Sequence, residues 1–82
     1  MASFVRFNMI VIRKDTHDVA FDVNYYVNNI PQDALDFCKH LLNVYHDFTD
    51  EIWLYDNEID NHVAKVYRNA DNRIYVKCYA TL

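Results

Sequence analysis

The 82-residue sequence predicts an α+β fold in which one helix packs across one face of an antiparallel sheet, in the order β-β-α-β-β-β. Three observations carry this. One stretch alone, Pro31 to Phe48, spaces its apolar residues as a helix does. Five short stretches around it alternate apolar and polar residues with period two. The length suits a single domain, 1–82, and a chain this short buries roughly 60% of its unfolded surface.

The first strand is read at Phe4 to Arg13. Val5, Phe7, Met9 and Val11 are apolar on one side, and Ile10 and Ile12 extend the apolar character to the other. A strand apolar on both faces belongs inside its sheet. Lys14 to His17 form a polar turn, and Val19 to Val27 form the second strand, with Val19, Phe21, Val23, Tyr25 and Val27 on one face. The two pair as an antiparallel hairpin.

In the helix, Ala34, Cys38, Leu41, Tyr45 and Phe48 recur at steps of four, three, four and three, and Leu35, Phe37 and Leu42 widen the stripe. Such a stripe faces a core. Pro31 suits the first turn, where a missing N–H costs nothing. Asn29 with Gln32 has the spacing of a capping box. Without glycine, the exit falls to Asp47, Thr49 or Asp50.

Glu51 to Asp56 is the third strand, with Ile52 and Leu54 opposite Trp53 and Tyr55. A polar loop around Ile59 leads to a fourth strand, His62 to Arg68. There Val63 and Tyr67 flank Lys65 on one face, and Ala64 and Val66 lie on the other. The fifth, Arg73 to Ala80, sets Ile74, Val76, Cys78 and Ala80 inward and Arg73, Tyr75, Lys77 and Tyr79 outward. These last three strands are expected to form a meander. A ferredoxin-like domain would need a second helix, which the sequence lacks.

Composition excludes several functions. The chain has no glycine, so glycine loops that cradle phosphates are absent. Turns must rely on Asp and on nine Asn. No apolar run reaches the ~20 residues of a membrane span, and no signal peptide is evident at the N-terminus, so the expected setting is cytoplasmic. Cys38 and Cys78 each fall on the apolar side of their element, which predicts two buried, reduced thiols.

No catalytic site is expected. Ser3 is the only serine and sits near the terminus, and both cysteines read as core. No metal or other cofactor is expected either. Asp56-x-Glu58-x-Asp60-x-His62 has the carboxylates of a calcium loop, but Asn61 and Tyr67 stand where glycine and glutamate are required. His17, His40, His46 and His62 show no zinc-ligand spacing with the cysteines.

Charge is segregated along the chain. Between Asp15 and Asp60 there are eleven acids and one base, Lys39; outside that span there are seven bases and one acid, Asp71. Asp33, Asp36, Asp47, Asp50, Glu51, Asp56, Glu58 and Asp60 are therefore expected to form an acidic surface that meets a basic region of a partner protein, with Trp53 and Tyr55 as aromatic anchors. A nucleic-acid-processing or defence protein, masked by such a surface, fits this description. The Arg73, Tyr75, Lys77, Tyr79 face offers an alternative, either as a homodimer interface or as a platform for single-stranded nucleic acid. The acidic balance, pI about 5.3, weighs against nucleic acid. A third reading is a structural subunit that completes an assembly. In general make-up, short, acidic, glycine-free and rich in Asn and Tyr, the chain resembles accessory proteins of viruses and mobile elements, although no stretch matches a family motif.

Overall fold

A computed structural model of the chain describes residues 5–26 and 31–79. The elements follow the expected order: β1 Val5–Ile12, β2 Val19–Tyr26, α1 Pro31–Val44, β3 Glu51–Asp56, β4 Asn61–Arg68 and β5 Ile74–Cys78. All strands pair antiparallel in one sheet of order β2-β1-β3-β4-β5, so β1 is interior and β3 to β5 form the meander. Expectations at Phe4, Val27, Asn29 and Ala80 lie outside the described residues.

The helix lies over β3 and β4. It buries Ala34, Leu35, Cys38, Leu41 and Leu42 against Phe7, Met9, Val11, Ile52, Leu54, Val63, Ala64 and Val66. Toward β2, Phe37 stacks on Tyr25 at 5.0 Å between centroids. Each aliphatic side chain so covered contributes roughly 1.5–3 kcal/mol before entropy is counted.

The helix ends at Val44, four residues earlier than the apolar stripe suggested. Tyr45 to Phe48 continue as turns, and Tyr45 and Phe48 still reach the core by packing on Phe21, at 5.2 and 6.1 Å. Thr49 fixes this exit. It is fully buried, and its hydroxyl donates to the carbonyl of Ile12 at 2.5 Å while its oxygen faces the N–H of Glu51 at 3.3 Å. The N–H of Lys14 donates to the Phe48 carbonyl at 2.8 Å, which ties the same loop to the β1–β2 turn. Left-handed backbone is taken by His17, Asp60 and Asn72, each in a turn, with φ of 63°, 55° and 68°. All three belong to the residue types, Asn, Asp and His, that are enriched there when glycine is absent.

Register irregularities correct the predicted faces at two places. On β4 an extra residue stands opposite the Leu54–Tyr55 step, so Val63 and Ala64 are both buried instead of lying on opposite faces. Val63 thus joins the core, leaving Lys65 and Tyr67 on the other face with His62. On β1, Arg6 is the unpaired residue between Val5 and Phe7. A bulge of this kind re-aims a side chain. Here it sends Arg6 toward Asp56, a residue of β3.

The edge strand β5 departs most from expectation. Ile74 is half-buried, Val76 is 37% exposed and Cys78 is exposed. The helix packs mainly on β3 and β4, so beyond Ile74 the side of β5 read as inward is open. Cys78 is therefore not the buried thiol that its apolar neighbours suggested.

Candidate protein-interaction surface

Among the described residues, the helix covers one face of the sheet and no element covers the other. Cross-strand register decides what gathers on the open face. Ile10 pairs with Trp53, Trp53 with Lys65, and Lys65 with Lys77. One row over, Glu51 pairs with Tyr67 and Tyr67 with Tyr75. On the opposite flank, Asn8 pairs with Tyr55 and Tyr55 with His62. Period two along each strand does the rest. Trp53 and Tyr55 of β3 and the Tyr75, Lys77 and Tyr79 series of β5, far apart in sequence, thus occupy one continuous surface.

The rings on this surface are held in place. His62 stands edge-on to Trp53 and Tyr55, at 5.2 and 5.0 Å. Tyr67 and Tyr75 lie nearly parallel at 5.9 Å. The Lys65 ammonium sits 4.9 Å from the Tyr67 ring centroid and that of Lys77 sits 5.6 Å from Tyr79. Such cation–ring contacts contribute about 0.5–1 kcal/mol at exposed sites.

Carboxylates rim the rings. The indole N–H of Trp53 donates to Glu51, the Tyr55 hydroxyl to Asp60 and the Tyr75 hydroxyl to Asp71. The hydrogen bond to Asp60 holds the Tyr55 phenol above its ordinary pKa, and the one to Asp71 does the same for Tyr75. Asp71 is held below the usual carboxylate range, first by Tyr75 and then by the N–H of Arg73. The buried Nε2 of His62 has no hydrogen-bond partner.

The eight acids do not form one surface. Asp56 is 3% exposed. It receives Nε of Arg6 at 3.2 Å and Nη2 at 3.1 Å, and it caps the N–H of Glu58 at 2.9 Å. The Asp56 hydrogen bond, followed by the Asp56 and Glu58 charges, raises the Arg6 pKa against the lowering effect of burial. Glu58 adds a second contact to Arg6 at 3.2 Å. Asp33 is half-buried in the first helical turn; Asp36 lies near Gln32 and Lys39. Asp47 lies 3.3 Å from His46, beyond the opposite end of a helix about 21 Å long. Asp50 and Glu51 are half-buried at that same end, and Glu51 stands 3.4 Å from His17. Asp33 and Asp36 are thus separated from Asp47, Asp50 and Glu51 by most of the length of the helix. Glu51 and Asp60, with Asp71, are the acids that border the aromatic face.

Other candidates are weaker. Cys38 is enclosed, and burial pushes its thiol up to about 12, so it stays protonated and unreactive. No three His, Cys, Asp or Glu side chains among the described residues are grouped to hold a metal. A polar cleft of about 510 Å³ lies between Lys14, Asn43, His46, Asp50 and Arg68. Its cations are already engaged: Lys14 donates to the His46 carbonyl at 3.1 Å, and Arg68 donates to Asn43 at 3.0 Å and to the Asn72 carbonyl at 3.3 Å. No helix of the described residues is long and apolar enough to cross a membrane.

No family model, no curated protein and no solved structure matches the chain.

Proposed function

We propose that the chain is a small non-enzymatic protein-binding module that masks a site on a larger partner through the open face of its sheet. One observation carries the reading: Trp53, Tyr55, Tyr67 and Tyr75 lie side by side on the uncovered face, with Glu51, Asp60 and Asp71 around them. Aromatic residues at a centre and polar groups at a rim are the anatomy of a protein interface. The acidic rim fits a partner that is apolar at its contact centre and basic around it, such as the nucleic-acid-facing surface of a processing or defence enzyme. On this reading the contact surface lies on the sheet, and Glu51 and Asp60 are the members of the acidic set that border it. A cytoplasmic setting suits two thiols kept apart, one in the core and one on an edge strand.

Single-stranded nucleic acid is the second reading, favoured by Lys65 and Lys77 on the same face. Two features weigh against it. A carboxylate stands beside three of the rings, where a phosphate would be repelled, and the lysines already lie over tyrosine rings.

The test is capture from nuclease-treated host extract, comparing the wild-type chain with Trp53→Ser/Tyr67→Ser. The same proteins are expected to be retained by the wild type and lost by the variant. Retention by a correctly folded variant, or binding that disappears with nuclease alone, would overturn the proposal.

A further inference from the structure

The two edges of the sheet differ, and the difference points to what β5 pairs with. The β2 edge is guarded. Its pairing with β1 is irregular near both ends, and Asp18 and Asp22 lie along it. Bulges and charges are the usual means of blocking an edge. The β5 edge is less guarded: Lys77 is its one charge. Its register with β4 is unbroken from Arg68↔Ile74 to Ala64↔Cys78, and Ile74–Cys78 contains no proline and no acid.

The free hydrogen-bonding groups of β5 can be assigned. The Arg73 carbonyl accepts from Asn69 at 2.9 Å and the Tyr79 N–H donates to Val63 at 2.8 Å, so odd-numbered residues turn their backbone toward β4. By the alternation of a strand, the N–H and C=O of Ile74, Val76 and Cys78 point outward.

We infer that this edge pairs with β5 of a second copy of the chain, antiparallel, with Val76 on the two-fold axis. Val76 is the centre of Ile74–Cys78, so only an axis there pairs the strand over its full length. With Val76 opposite itself, Arg73 faces Tyr79 of the second copy and Tyr75 faces its Lys77, so every cation meets an aromatic ring. Ile74 faces Cys78 on the other side of the sheet, where all the residues are apolar. Moving the axis to Tyr75 sets Arg73 against Lys77, and moving it to Lys77 sets that lysine against itself. Like charges directly opposite are destabilising. The backbone agrees with the choice. Val76 with Val76, and Ile74 with Cys78, become hydrogen-bonded pairs, each exchanging two N–H···O bonds.

The result is a closed, isologous dimer. Ten strands form one sheet, both aromatic faces lie on the same side, and among the described residues the edges left are the two guarded β2 strands. This assembly does not rest on the reading of the open face: a variant can lose the partner and keep the dimer, or the reverse.

Sedimentation of the full chain tests it. The wild type is expected at twice the 9.9 kDa chain mass and Val76→Pro at the single mass. The Val76 N–H faces outward, so proline there removes no hydrogen bond of the monomer. A second set, Val76→Cys, Tyr75→Cys and Lys77→Cys, each in a Cys78→Ser background, reads the register by disulfide formation under a mild oxidant. Paired α-carbons about 5.5 Å apart fall within disulfide range, so Val76→Cys is expected to cross-link and the other two are not. A wild-type chain that stays monomeric up to its solubility limit, a Val76→Pro chain that still dimerises, or cross-linking that favours position 75 or 77 would each overturn the inference.

Discussion

Arg6→Ala is predicted to destabilise the domain by about 2–3 kcal/mol, although the position is partly open to solvent and lies near the start of the first strand. The reasoning concerns what the substitution leaves behind. Asp56 is 3% exposed and takes two guanidinium hydrogen bonds, at 3.1 and 3.2 Å. Without Arg6 its carboxylate keeps only the Glu58 N–H at 2.9 Å. Removing one partner of a fully buried pair costs about 3–5 kcal/mol; Arg6 is 27% exposed, which allows water to reach the vacated site and lowers the figure. The guanidinium also lies 5.1 Å from the Phe7 ring centroid, worth about 0.5 kcal/mol more. Against a total stability of roughly 4–12 kcal/mol for this length, the loss is large, on the order of 10 °C in Tm or more. Urea unfolding followed by the fluorescence of Trp53, the only tryptophan, measures it directly. Adding Asp56→Ala removes the orphaned charge, so the double variant is expected to cost at least 1 kcal/mol less than the two single variants together. A cost below about 0.5 kcal/mol for Arg6→Ala, or strict additivity, would refute this account of the pair.

Three further predictions follow from the same structure. Thr49→Val keeps the shape but loses the hydroxyl that bonds Ile12, and is expected to cost about 1–2 kcal/mol in the same urea titration. Cys38, with its thiol pushed up to about 12, is expected to resist a disulfide reagent until the protein unfolds, whereas exposed Cys78 reacts in the native state; labelling followed by mass spectrometry separates the two. The folded-state pKa values of Tyr55 and Tyr75 are raised, so the folded protein holds their protons more tightly than the unfolded chain does. Their contribution to stability is complete below about pH 10 and is lost as pH rises through the folded values, which tyrosinate absorbance followed together with unfolding will show.

The fold was largely legible because its signals are local. β2 alternates cleanly, the helix carries a continuous stripe, and β3 begins and ends where the alternation of Ile52 and Leu54 does. The helix end was not legible. Tyr45 and Phe48 keep helical spacing yet reach the core from turns, and only the tertiary bond from Thr49 to Ile12 sets the stopping point. Nor was the double burial of Val63 and Ala64, because a one-residue bulge leaves no mark in a pattern of apolar residues. The candidate face is half legible in the sequence. Trp53, Tyr55 and the β5 series stand out there as separate stretches, and only the sheet order brings them together and adds Tyr67 and His62. Asp56 leaves the acidic surface because its partner Arg6 is its neighbour across strands and not along the chain. Period two from Ile52 and Leu54 already sets Asp56 on the inner face, and Arg6 on a neighbouring strand supplies the cation that makes its burial tolerable. The exposure of Cys78 follows from the sheet order, which sets β5 at an edge, and the alternation of the strand carries no sign of that.

The claim that the open face is the binding surface is tested most directly by comparing two variants in one capture experiment. Trp53→Ser/Tyr67→Ser alters the aromatic face, while Asp36→Lys/Lys39→Glu exchanges charges on the solvent side of the helix. The account predicts that proteins retained by the wild-type chain are lost from the first variant and kept by the second. Loss from the helix variant with retention by the face variant, both folded by circular dichroism, would contradict it.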